Sequence, residues 1–100
     1  MKNIDINLVE HSGLHDYEII EMNINYNNAT VVLQLRSPSG ELSQLTINNF
    51  VLFKINHEEE WGKGKYVVSS DLELNDISKT YDLEIQLNSG DIIFISYKIV

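Results

Sequence analysis

The chain of 100 residues has no cysteine, which removes disulfide frameworks, thiolate metal sites and cysteine nucleophiles from consideration. It is also short of positive charge, with 7 Lys and Arg against 15 Asp and Glu and a formal net charge of −8. A field of that sign repels phosphate backbones and anionic lipid. It attracts basic partners over about one Debye length, ~8 Å at physiological salt. Neither nucleic acid nor a membrane is therefore an expected partner. Apolar runs are short, as at Ile92-Ile93-Phe94-Ile95, far below the ~18–20 residues that span a bilayer. Residues 1–7 alternate polar with apolar types and place Asp5 where an export signal needs a continuous apolar stretch. A cytoplasmic location is the expectation.

What is present is a large β-branched and aliphatic content: 13 Ile, 11 Leu and 7 Val in a composition that is 43% hydrophobic. That supply argues against disorder and is enough for one core, in a single domain covering 1–100. The apolar residues recur at every second position in Ile4, Ile6, Leu8; Ile20, Met22, Ile24, Tyr26; Val31, Leu33, Leu35; Tyr81, Leu83, Ile85, Leu87; and Ile93, Ile95, Tyr97, Ile99. Each run reads as a strand with one buried face. Turn signals separate them at Asn27-Asn28, Ser37-Pro38-Ser39-Gly40 with the only proline, Gly62-Lys63-Gly64, Asn75-Asp76 and Asn88-Ser89-Gly90-Asp91. Hairpins are expected over 17–36, turning at Asn27-Asn28 because Asn tolerates positive φ, and over 81–99, turning at Ser89-Gly90. Further strands are expected near 42–48 and 66–68.

The stretch 50–55 is ambiguous. Phe50, Phe53 and His57 recur at helical spacing, yet the aromatic and β-branched content fits a buried strand equally; strand or irregular structure is favoured. Helix content is expected to be small, since no segment of about 10–12 residues combines a helical apolar period with caps. The predicted class is all-β, mainly antiparallel hairpins in a two-sheet sandwich or curled roll of about seven or eight strands. Ile24, Leu33, Leu35, Leu83, Ile85 and Ile95 are the expected core.

Few residue groupings carry chemistry. His11, His15 and Asp16 have metal-ligand types, but Ser12-Gly13 weakens the helix that would align the imidazoles and no third ligand is evident. The expectation is no metal and no cofactor, with Leu14 entering the core and His15 and Asp16 bonding backbone groups. Asp71-Leu72-Glu73-Leu74-Asn75-Asp76 lacks the glycine and distal glutamate of a calcium loop and reads as an acidic-faced strand. Gly62-Lys63-Gly64-Lys65 lacks the phosphate-loop spacing, and no nucleophile elbow is present. No enzyme is expected. His57-Glu58-Glu59-Glu60-Trp61 combines three consecutive acids with the only Trp. It reads either as a solvated loop whose Trp turns inward or as an acidic patch with an aromatic anchor for a basic partner. The partner-binding residues expected are Glu58, Glu59, Glu60 and Trp61.

Leu14-His15-Asp16 before a hairpin from Tyr17 to Arg36, then Asn49-Phe50-Val51, Trp61-Gly62 followed by Tyr66-Val67, and a final Leu-Asn-Ser-Gly-Asp-Ile turn at 87–92 form an ordered set of short motifs. In this it resembles small bacterial all-β proteins grouped with the immunity proteins of polymorphic toxin systems. The resemblance implies a stoichiometric, non-catalytic inhibitor made in the cytoplasm beside the protein toxin that it blocks. It assigns no functional residue. A small ligand-binding or accessory β domain is the alternative.

Overall fold

A computed structural model describes residues 2–56 and 66–98. Among them eight strands form two four-stranded sheets: β1 (Lys2–Asn3), β2 (Glu18–Asn25), β3 (Thr30–Arg36) and β4 (Leu42–Asn48), then β5 (Phe50–Asn56), β6 (Val67–Asn75), β7 (Thr80–Leu87) and β8 (Ile92–Lys98). The first sheet has the order β1-β4-β3-β2 and the second β5-β8-β7-β6. All pairings are antiparallel except β1 with β4, which is parallel. The stretch 50–55 is thus a strand.

Strand alternation sorts the side chains as expected. Leu33, Leu35, Leu83, Ile85 and Ile95 are fully buried, together with Val31, Leu45, Ile47 and Ile93, in one core between the sheets. Ile24 is the exception, at 48% exposed. It lies opposite Val31, on the inner side of its strand, but β2 is an edge strand that packs chiefly on β3. Facing inward at an edge does not guarantee cover. Three other exposed apolar residues, Ile20, Val51 and Val68, stand at register shifts in edge strands, where a bulge leaves the extra residue unpaired.

The chain start departs from the expected strand through Ile4, Ile6 and Leu8. After β1 it forms a 3-10 segment, Ile6–Ser12. The Asp5 carboxylate accepts the Asn7 amide at 2.9 Å and the Asp5 carbonyl accepts that of Leu8 at 2.9 Å, so these amides turn inward on the chain rather than joining a ladder. The segment drops Val9 and Leu14 into the core. Ser70 of β6 secures it, its hydroxyl donating to the Val9 carbonyl at 2.7 Å and accepting the Leu14 amide at 3.2 Å.

The sheets meet at two corners. Asn49 alone separates β4 from β5, in the left-handed region at φ 61°, which Asn tolerates better than most residues. At the other corner the Asp16 amide donates to the Val67 carbonyl and the Val67 amide to the Tyr17 carbonyl, both at 2.8 Å. The hairpins turn where expected, although at the first one positive φ falls on Ala29 (52°) rather than on an Asn. Asn25 instead caps that turn, its side-chain oxygen accepting the Asn28 amide at 3.1 Å. Gly90 takes φ 94° in the last hairpin, a value open to glycine. Among the described residues no helix is long and apolar enough to cross a membrane.

Candidate functional site

Glu58, Glu59, Glu60 and Trp61, the predicted partner-binding residues, lie outside the described residues, as do His57 and the expected turn at 62–64. The described chain on either side ends at Asn56 of β5 and resumes at Tyr66 before β6, strands on opposite edges of the second sheet.

The outward face of that sheet concentrates charge in a way its ladder explains. Leu72 of β6 and Leu83 and Ile85 of β7 point into the core, so their neighbours Asp71, Glu73, Asp82 and Glu84 point out. Antiparallel pairing sets Asp71 opposite Glu84 and Glu73 opposite Asp82, with Cβ atoms about 5 Å apart. Like charges in this arrangement destabilise a sheet. Asp82 is held firmly: its carboxylate accepts from the Ser96 hydroxyl, from Thr80 Oγ1 at 3.2 Å and from Asn75 Nδ2 at 3.4 Å. Three strands thus hold one carboxylate.

The other half of the same face is different in kind. Lys54 lies opposite Phe94, Leu52 opposite Ser96 and Asn56 opposite Ile92. Leu52, Lys54, Asn56, Ile92 and Phe94 line a depression. One row across the sheet therefore runs Lys54, Phe94, Glu84, Asp71, from cation through apolar ring to paired acids. The face can present apolar surface and directed negative charge to a large partner.

Other candidates are weaker. The His15 Nδ1 and Asp16 Oδ2 atoms are 3.3 Å apart on side chains more than half exposed, so they pair with each other, in place of the backbone contacts expected of them. Leu14 is buried as expected. Among the described residues no three His, Asp or Glu side chains gather as a metal site. Glu18, with its side chain 12% exposed, takes Arg36 Nη1 at 3.0 Å, in a cleft with Asp16, Ser37, Pro38, Gly40 and Tyr66. A second concavity on the first hairpin is lined largely by Asn23, Asn25, Asn27 and Asn28. Tyr97 stacks on Tyr81 at 5.6 Å on the inner side of the second sheet. Burial, with lesser contributions from Tyr81 and Glu10, raises its pKa above the ordinary 10.0.

No protein-family model and no curated protein matches this chain. A solved structure shares its fold. It is the crystal structure of an uncharacterized protein from Neisseria gonorrhoeae, 18% identical, with a TM-score of 0.65 over 85% of this chain and 88% of that one. The likeness supports the all-β two-sheet architecture.

The acids of β7 carry a signal that sequence reading could have used. Asp82 and Glu84 alternate with Leu83 and Ile85 as Asp71 and Glu73 do with Leu72 and Leu74. Joining the two strands through the turn after Asn75 would have brought the four acids together.

Proposed function

We propose that the chain is a stoichiometric protein inhibitor of the immunity type, which binds and neutralises a basic protein toxin without catalysis in the cytoplasm. The observation that carries this reading is the two pairs of directly opposed acids, Asp71 with Glu84 and Glu73 with Asp82, on an outward sheet face. Repulsion between them works against the fold. A basic partner removes that repulsion on binding, and the field of the whole chain, net −8, steers it to the face. The neighbouring Leu52, Ile92 and Phe94 supply apolar contact, as interface centres require. Glu58, Glu59, Glu60 and Trp61 belong to the same reading as acids and an aromatic anchor.

The test is co-expression and co-purification with the protein encoded beside this one, followed by stopped-flow association. A one-to-one complex is expected, with an on-rate that falls steeply as salt rises. Replacing Asp71, Glu73 and Glu84 by Lys should slow association about tenfold or more at low salt. Unchanged association by that variant would refute the assignment of the face.

A further inference from the structure

The two sheets repeat one plan. β2-β3-β4 and β6-β7-β8 are consecutive antiparallel strands in the same order, and Asn25, Thr30, Leu33 and Gly40 recur 50 positions later as Asn75, Thr80, Leu83 and Gly90. The ladders agree as well: Asn25 pairs with Thr30 and Asn75 with Thr80, Asn23 with Val32 and Glu73 with Asp82. Each residue of the first hairpin turn therefore has a counterpart that shows what the turn itself uses. Asn25 Oδ1 accepts the Asn28 amide at 3.1 Å, and Asn75 Oδ1 accepts those of Ile77 and Ser78 at 3.1 and 3.2 Å. Positive φ falls on Ala29 at 52° and on Lys79 at 57°. The shared turn thus uses asparagine at 25 and 75. It does not use asparagine at 23, 27 or 28, where the second hairpin has Glu73, Ile77 and Ser78, nor tyrosine at 26, where it has Asp76.

We infer that Tyr26 and the asparagines around it form a binding site for a neutral carbohydrate. Asn23, Asn25, Asn27 and Asn28 line a concavity of about 570 Å³ with Tyr26 and Thr30, and no charged residue lines it. Its volume falls in the range of small-ligand sites, ~300–1,000 Å³. The side-chain amides of Asn23, Asn27 and Asn28 make no hydrogen bond among the described residues. Each offers two donors and an acceptor oxygen, which matches sugar hydroxyls that both donate and accept. Tyr26 is 86% exposed, and the negative face of its ring suits the C–H groups of a pyranose. The frame is set in advance, because Asn25 holds the Asn28 amide and Thr30 Oγ1 donates to the Asn28 carbonyl at 3.1 Å; a preorganised site loses less entropy on binding. Other ligand classes fit worse. The net charge of −8 repels a phosphate ester, an ammonium group meets no carboxylate in the lining, and a purely apolar ligand would bury the amides without partners. The site lies on the first sheet and the opposed acids on the second, so sugar binding is independent of toxin binding.

The internal counterpart supplies the experiment. Backbone-amide NMR of the isotope-labelled full chain is titrated with neutral oligosaccharides of glucose, of galactose and of N-acetylglucosamine. At about 10 mM sugar a millimolar contact is nearly saturated, and at least one of the three series should shift the signals of residues 23–30. Tyr26→Ala should weaken that binding about tenfold or more, with unchanged thermal melting because the side chain is exposed. A second variant, Tyr26→Asp with Asn27→Ile, Asn28→Ser and Ala29→Lys, places the residues of the second turn in the first. Those residues already close the same register between Asn75 and Thr80, so the variant should keep its fold. It adds one acid and one lysine, leaving the net charge at −8, and should bind about tenfold more weakly or not at all. No shift with any of the three series overturns the inference. So do shifts confined to residues outside 23–30, or binding that either variant leaves undiminished.

Discussion

Reversing one charge in the acidic face should make the free protein more stable. Glu84 sits opposite Asp71 in the ladder, with a separation of about 5 Å. Two unit charges at that distance in water interact by about 0.8 kcal/mol, and screening over the ~8 Å Debye length cuts this roughly in half. Glu84→Lys changes the sign of the interaction, so the swing is about twice the screened value, near 1 kcal/mol. This matches the upper end of measured cross-strand pair effects. Urea unfolding at low salt should show a higher midpoint with an unchanged slope, and added salt should narrow the gap to the parent chain. The same variant should associate more slowly with a basic partner, because the repulsion it relieves is what that partner would relieve. A Glu84→Lys chain no more stable than the parent at low salt would refute the reasoning that the opposed acids strain the sheet.

Three further outcomes test the fold. Ile85→Ala should cost about 2–5 kcal/mol by urea unfolding, since the side chain is fully buried, whereas Ile24→Ala, at a half-exposed edge position, should cost under about 1 kcal/mol; equal costs would refute the account of edge exposure. Ser70→Ala should destabilise by about 1–3 kcal/mol, because it orphans the buried Val9 carbonyl and Leu14 amide, and exchange at the Leu14 amide should quicken. Tyr97 titrates above its unfolded value of 10.0, chiefly through burial. The folded state therefore favours the neutral phenol, and its contribution to stability is complete below pH 10.0 and is lost as pH rises through the folded value. Tyr97→Phe should flatten the alkaline fall in thermal stability, and an unchanged fall would contradict this.

Period-2 alternation determined most of the architecture by itself. Leu33, Leu35, Leu83, Ile85 and Ile95 were legible as core because side chains in a strand alternate faces and apolar ones leave water. The turn positions at Asn27-Asn28 and Ser89-Gly90 were legible from residue chemistry, and so was the acidic outer face of β6. Alternation is local, however, and cannot say what lies over a face. Tertiary structure alone decided that Ile24, on the inner side of an edge strand, stays half exposed while Val9, outside any strand, is fully buried. The start of the chain failed for a related reason: Ile4, Ile6 and Leu8 carry a strand pattern, but Asp5 takes the Asn7 and Leu8 amides and turns the backbone toward Ser70, 56 residues beyond Leu14. The opposed acids depend likewise on register. Composition set the net charge of −8, but only pairing between β6 and β7 placed Asp71 against Glu84 and Glu73 against Asp82, because cross-strand neighbours are chosen by the ladder and not by the chain.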